Sequence, residues 1–177
     1  MMSVLKQIKP VQDTVKKLEL TLAILKPHVV ENARSATEIK NILLRADFKI
    51  VRSKRAVLTL QETSGLFNQK GNKPMDGDLT AQITKGPSDI MILAKANAIE
   101  HWRSFTGPWS VYKNAVTGSS CREKIGQFFP DFDYDKWYEN EEVHFRNNNV
   151  YFVSKEFVHK LNHDVVSESI TQKYSKI

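Results

Sequence analysis

The first sustained apolar run in the chain is Leu20-Thr-Leu-Ala-Ile-Leu25, six residues that fit a buried strand. Lys26 and Pro27 end it, the proline stiffening the exit and the lysine leaving a cation at the strand tip, where a phosphate or plain solvent could meet it. Ser35-Ala-Thr-Glu38 has the form of a capping box and predicts a helix to about Ala46, with Ile39, Ile42, Leu43 and Ala46 on its buried side. From Phe48 to Leu58 the chain turns β-branched and basic, which predicts a second strand. Thr59-Leu-Gln-Glu62 repeats the capping box and opens a short helix through Leu66 and Phe67, before Gly71, Pro74 and Gly77 break the pattern. A helical turn over Asp78 to Thr84, a Gly86-Pro87 turn and a buried strand from Asp89 to Ala94 follow. Asn97 is placed to cap a helix carrying Trp102 and Arg103, ending before Gly107-Pro108. Strands and helices in this order predict an α+β sandwich with helices on one face of a small sheet.

The pattern is less regular beyond it. Ser110 to Val116 alternates weakly, Gly118 to Ser120 reads as a turn, and Arg122 to Phe129 is a helix stopped by Pro130. Asp131 to Glu142 is acidic and aromatic, and its rings are expected to pack back on the domain. Val150 to Ser154 reads as a lone strand that, like Val111 to Val116, could fill a sheet edge beside the first strand, and the remainder from Lys155 reads as polar and mobile at its end. At the other end Val4, Ile8, Val11, Val15 and Leu18 recur at alternating spacings among lysines, an amphipathic basic stretch that Pro10 interrupts. The expected organisation is an extension over residues 1–18, one domain over 19–143 and a second extension over 144–177.

Composition narrows the class. No apolar run is long enough to cross a bilayer, so no membrane-spanning role is expected. A net charge of +6 suits an anionic ligand such as a nucleotide and equally suits weak non-specific attraction to nucleic acid or a membrane surface, so charge does not choose among them. The single cysteine, Cys121, excludes an internal disulfide and a cysteine-rich zinc site. The compartment is left between cytoplasm and mitochondrion, since the basic stretch at the start lacks arginine.

Four segments in one order carry a resemblance: Leu-Thr-Leu-Ala-Ile-Leu-Lys-Pro-His at 20–28, the Gly86-Pro87 turn before Asp-Ile-Met-Ile-Leu-Ala, Asn-Ala-Ile-Glu-His-Trp-Arg at 97–103, and Phe-Phe-Pro-Asp-Phe with Trp-Tyr-Glu-Asn-Glu-Glu across 128–142. Over roughly residues 19–143 the chain resembles nucleoside diphosphate kinases, in particular their group II branch. The resemblance implies a ferredoxin-like βαββαβ fold. It also implies transfer of the γ-phosphate of ATP to nucleoside diphosphates through a phosphohistidine, with Mg²⁺ held mainly by the phosphates.

Position by position, Lys26 matches the family's phosphate-side lysine and Arg103 its helix arginine. Phe67 stands where the family has a tyrosine near the transferred phosphate, Met75 where a phenylalanine stacks on the base, and Trp109 in place of a phosphate-binding threonine. The expected nucleotide contacts are therefore Lys26, Phe67, Met75 and Arg103. The family's segment with its nucleophilic histidine and its fourth strand has no counterpart, and no histidine lies between His101 and His144. Lys113 falls in the nucleophile's register, and an ordinary lysine there would be protonated and unable to attack. No catalytic residue is therefore assigned. The expectation is a degenerate nucleotide-binding or scaffold homologue, binding nucleotides weakly and assembling with itself or related kinases, its fourth strand lost or replaced. Two alternatives stand beside it: an active kinase whose sequence here lacks an internal segment, and a basic nucleic-acid- or protein-binding module on a ferredoxin-like sheet, which would need exposed aromatics on the strands. His159 and His163, four apart, have the spacing of a metal pair on one helix face, though without a third ligand.

Overall fold

The computed structural model describes residues 15–67, 77–106 and 119–164. Its centre is β3 (Pro87–Lys95), whose residues Ser88 to Ala94 are all buried. On one side β3 pairs antiparallel with β1 (Glu19–Leu25), from Glu19 opposite Lys95 to Leu25 opposite Asp89. On the other it pairs antiparallel with β2 (Lys49–Val57), with a bulge between Ile50 and Arg52. The sheet order is β1-β3-β2, three strands of the expected ferredoxin-like pattern, and no described strand pairs with the outer side of β1.

A strand buried on both faces loses the hydrophobic alternation and reads as a continuous apolar run, as β1 and β3 do. That explains a difference from the expected single layer of helices: both faces of this sheet are covered. On one face Ala23, Leu25, Met91 and Leu93 pack with Val30 of α1 (Pro27–Glu31), Leu43 of α2 (Ala33–Arg45), and Ala98 and Trp102 of α5 (Ala98–Thr106). On the other Leu20, Leu22, Ile24, Ile90 and Ile92 pack with Ile83 of α4 (Gly77–Thr84) and with Ile125 and Phe128 of α6 (Ser119–Phe128). The same cluster takes in Trp137 of a five-residue π-helix (Trp137–Glu141) and Phe145, so the rings of the acidic aromatic stretch do fold back on the domain. With α3 (Leu60–Phe67) and the short α7 (Tyr134–Lys136) and α8 (Glu142–Arg146), these are the described helices.

Capping follows the sequence in one place and departs from it in two. The Thr59–Glu62 box forms as expected: the Thr59 N–H donates to Glu62 Oε2 at 2.8 Å, and the Glu62 N–H donates to Thr59 Oγ1 at 3.2 Å. Ser35 is no cap, because Asn32 has already started α2 and accepts from the Ser35 N–H at 3.2 Å. Asn97 sits at φ 55° with its side chain accepting from Lys16, so α5 takes its side-chain cap from Glu19, which accepts from the Ile99 N–H at 3.3 Å.

Beyond α8 the described chain continues as a hairpin, while residues 165–177, where mobility is expected, lie outside the described residues. Val150–Val153 is strand β4, paired antiparallel not with the sheet but with β5 (Val158–Leu161), through a turn in which Phe157 adopts φ 51°. Val153, Phe157 and Val158 carry this hairpin onto the α2 side of the core, beside β2. Val150 to Ser154 therefore does not fill the open edge of β1. The division after residue 143 falls inside α8, whose Phe145 is 2% exposed and belongs to the main core. Val111 to Val116, the other candidate for that edge, lies outside the described residues.

Candidate functional site

Lys26 stands at the C-terminal end of β1 with only 8% of its surface exposed. Its backbone stays extended while its carbonyl accepts from the Val29 and Val30 N–H groups at 2.9 and 3.0 Å, so the strand turns directly into α1. Pro27 supplies the fixed φ of the first helical position and needs no donor there. The Gly86-Pro87 turn presses on this corner: a Cβ added to Gly86 would lie 3.4 Å from both Pro27 Cβ and Glu31 Oε1. Burial lowers the pKa of the Lys26 ammonium. A partly dehydrated cation on a rigid corner is a strong electrostatic partner for an anion that reaches it, because little water remains to screen it.

Arg103 is exposed on α5. Since β3 runs antiparallel to β1, α5 heads back along β1 towards the Lys26 end, and it packs on that strand. Strand alternation assigns Lys26 to the face of Leu22 and Ile24, whereas α5 covers the face of Ala23 and Leu25, so the two cations approach this end of the sheet from different layers. The backbone of Phe67 closes α3, while Met75, Trp109 and Lys113 fall outside the described residues.

Sequence reasoning missed an ionic cluster next to this corner. Asp89, opposite Leu25 in the ladder, is 3% exposed and takes a two-pronged hydrogen bond from Arg55, at 2.7 and 3.0 Å, and a third from Lys40 at 2.9 Å. Burial pushes its carboxyl up, but the hydrogen bonds and charges of Arg55 and Lys40 outweigh that and hold it below the usual carboxylate range. The signal was there: an aspartate opening a buried strand requires a cationic partner. Glu142, 2% exposed, is similarly engaged, accepting from the Leu18 N–H at 2.9 Å and from Arg146 at 3.0 Å, while the Tyr138 hydroxyl donates to the Leu18 carbonyl. These bonds fix where β1 begins, as the corner at Lys26 fixes where it ends.

The histidines scatter. His28 is exposed on α1, two residues past Lys26. His101 lies on α5 with its Nδ1 buried and without a hydrogen bond, and His144 lies on α8. His159 is on β5, not on a helix, and its Nδ1 accepts from the Ile50 N–H at 2.9 Å. The helical metal pair with His163 therefore does not form, because strand periodicity replaces the four-residue repeat. Among the described residues no three His, Cys, Asp or Glu side chains come together as a metal site.

The sheet with Lys26 at the end of its first strand lies within residues 19–131, which match the family profile described as nucleoside diphosphate kinase. The chain belongs to that family. Among relatives, it is 28% identical to mouse nucleoside diphosphate kinase 6 over 165 aligned positions, covering 80% of this chain and 87% of the relative. It is 37% identical to human nucleoside diphosphate kinase homolog 5 over 91 positions, covering 51% of this chain and 42% of the relative. Among solved structures, a halophilic nucleoside diphosphate kinase from Halobacterium salinarum, in complex with CDP, superposes with a TM-score of 0.54 at 21% identity, covering 68% of this chain and 97% of that one. At that identity the likeness is one of fold.

Proposed function

We propose that this chain is a nucleotide-binding homologue of nucleoside diphosphate kinases that does not pass phosphate through a histidine. The observation that carries the reading is the sequence between His101 and His144, which holds no imidazole, in the stretch where the family keeps its nucleophile. The alignment with the mouse relative points the same way: it runs over 165 positions, while 80% of 177 residues falls well short of that, so the relative has positions this chain lacks. His159 is an unsuitable substitute, because its Nδ1 lone pair is committed to Ile50. The reading of the sheet as a nucleic-acid platform loses support, since β1, β2 and β3 carry no aromatic residue and both faces of the sheet are covered.

Binding rests on Lys26 and Arg103, with any magnesium ion arriving on the nucleotide's own phosphates, as that ion commonly does. Charge-assisted hydrogen bonds of this kind contribute about 1.5–3 kcal/mol each. Calorimetric titration with ADP and magnesium is therefore expected to show weak binding, reduced about tenfold or more by Arg103→Ala and further by adding Lys26→Ala. Absence of binding in the unaltered protein, or equal binding by the folded double variant, would leave a scaffold role instead.

A further inference from the structure

The row of side chains that ends at the Lys26 corner contains one member out of keeping with the rest. Leu22 faces Ile92 and Ile24 faces Ile90 across the β1–β3 ladder, and the next step of the same register sets Lys26 against Ser88. On its other side Ser88 faces Ala56 of β2. Lys26, Ser88 and Ala56 all belong to the sheet face of Leu22 and Ile24, because alternate residues of a strand share a face. Close packing of Gly86 on Pro27, where an added Cβ would lie 3.4 Å from the proline's own, keeps the two strands together past the last ladder pair.

Ser88 is 0% exposed, and its Oγ meets no hydrogen-bond partner among the described residues. A buried hydroxyl without a partner destabilises a fold where an apolar side chain would not, so the group calls for an explanation. Few neighbours can supply one. Ala56 has no polar side-chain atom, and Lys54, diagonal to Ser88 through its pairing with Ile90, donates to the Phe128 carbonyl and lies over the Phe129 ring. That leaves Lys26, whose ammonium has three donors, enough to serve a hydroxyl and an anion at once.

We infer that Ser88 is a positioning residue for the nucleotide's phosphates, acting through Lys26: when a phosphate draws the ammonium, Nζ settles between a phosphate oxygen and Ser88 Oγ, which accepts one of its hydrogens. The inference rests on nucleotide binding at Lys26. The hydroxyl has already lost its water on folding, so this hydrogen bond adds to affinity without a further desolvation cost. It also gives the lysine one preferred position at a corner where burial by itself disfavours the charged form.

The test is calorimetric titration of the full chain with ADP and magnesium, set beside urea unfolding of each variant. Ser88→Ala is expected to weaken binding about tenfold, the loss of one hydrogen bond to a charged group, while its unfolding midpoint stays level or rises. A serine with a merely structural role would not move affinity and stability apart. Ser88→Thr, which keeps the hydroxyl on a residue type suited to strands, should restore most of the affinity. Thr21→Val removes another orphan hydroxyl, also 0% exposed but near the start of β1, and should leave binding unchanged. Equal binding by Ser88→Ala and the unaltered protein overturns the role of Ser88 and leaves nucleotide binding standing. So does a loss shared with Thr21→Val, a Ser88→Ala midpoint that falls with the affinity, or Ser88→Thr binding no better than Ser88→Ala. No binding of ADP by the unaltered protein overturns both readings together.

Discussion

His159 shows how one side chain ties a surface hairpin to the sheet. Accepting the Ile50 N–H requires an unprotonated Nδ1, and burial, with the nearby Lys49 charge, pushes the imidazole down to about 4. In the unfolded chain the same group titrates near about 6.5. Between those values the unfolded state holds the proton and the folded state does not, so stability is expected to fall as pH drops from about 6.5 towards 4. His159→Gln, whose amide oxygen can accept the same N–H, should flatten that part of the curve when midpoints of urea unfolding are compared across pH; an unchanged slope would show that the group contributes nothing there. Asp89 acts in the same direction at lower pH, its contribution present above the ordinary carboxylate pKa and lost as pH falls through its lowered value.

At the scale of elements, the chain announced what local chemistry controls and hid what tertiary contacts control. The Leu20 to Leu25 and Asp89 to Ala94 strands were legible because a strand buried on both faces is a continuous apolar run, and α3 was legible because Thr59 and Glu62 satisfy each other's donors. Thr59→Ala is accordingly expected to cost about 1 kcal/mol in denaturant unfolding, and no measurable loss would mean that α3 starts without its cap. The start of α5 is not legible locally, because its side-chain cap comes from Glu19, far away in sequence, and not from Asn97. The hairpin was half seen: Val150 to Val153 is β-branched and aromatic, but β5 reads Val-His-Lys-Leu and is a strand only because Val158 reaches the core and His159 reaches Ile50. Of the candidate site, Lys26 could be read from a strand ending in Lys-Pro, whereas the Arg55–Asp89–Lys40 cluster joins three separate elements and shows only once they are packed.

At the scale of the molecule, a nucleoside diphosphate kinase scaffold holds a buried lysine at the end of its first strand, and the sequence between His101 and His144 holds no further histidine. Scaffold and chemistry are separable, because a sheet covered on both faces is stabilised by its own core and not by the reacting residue. The most direct test of that separation is incubation of the purified protein with ATP labelled at the γ-phosphate and magnesium, followed by quenching at high pH and an acid wash. The account predicts no acid-labile phosphate on the protein; label that enters, is lost to acid and passes to an added nucleoside diphosphate would contradict it.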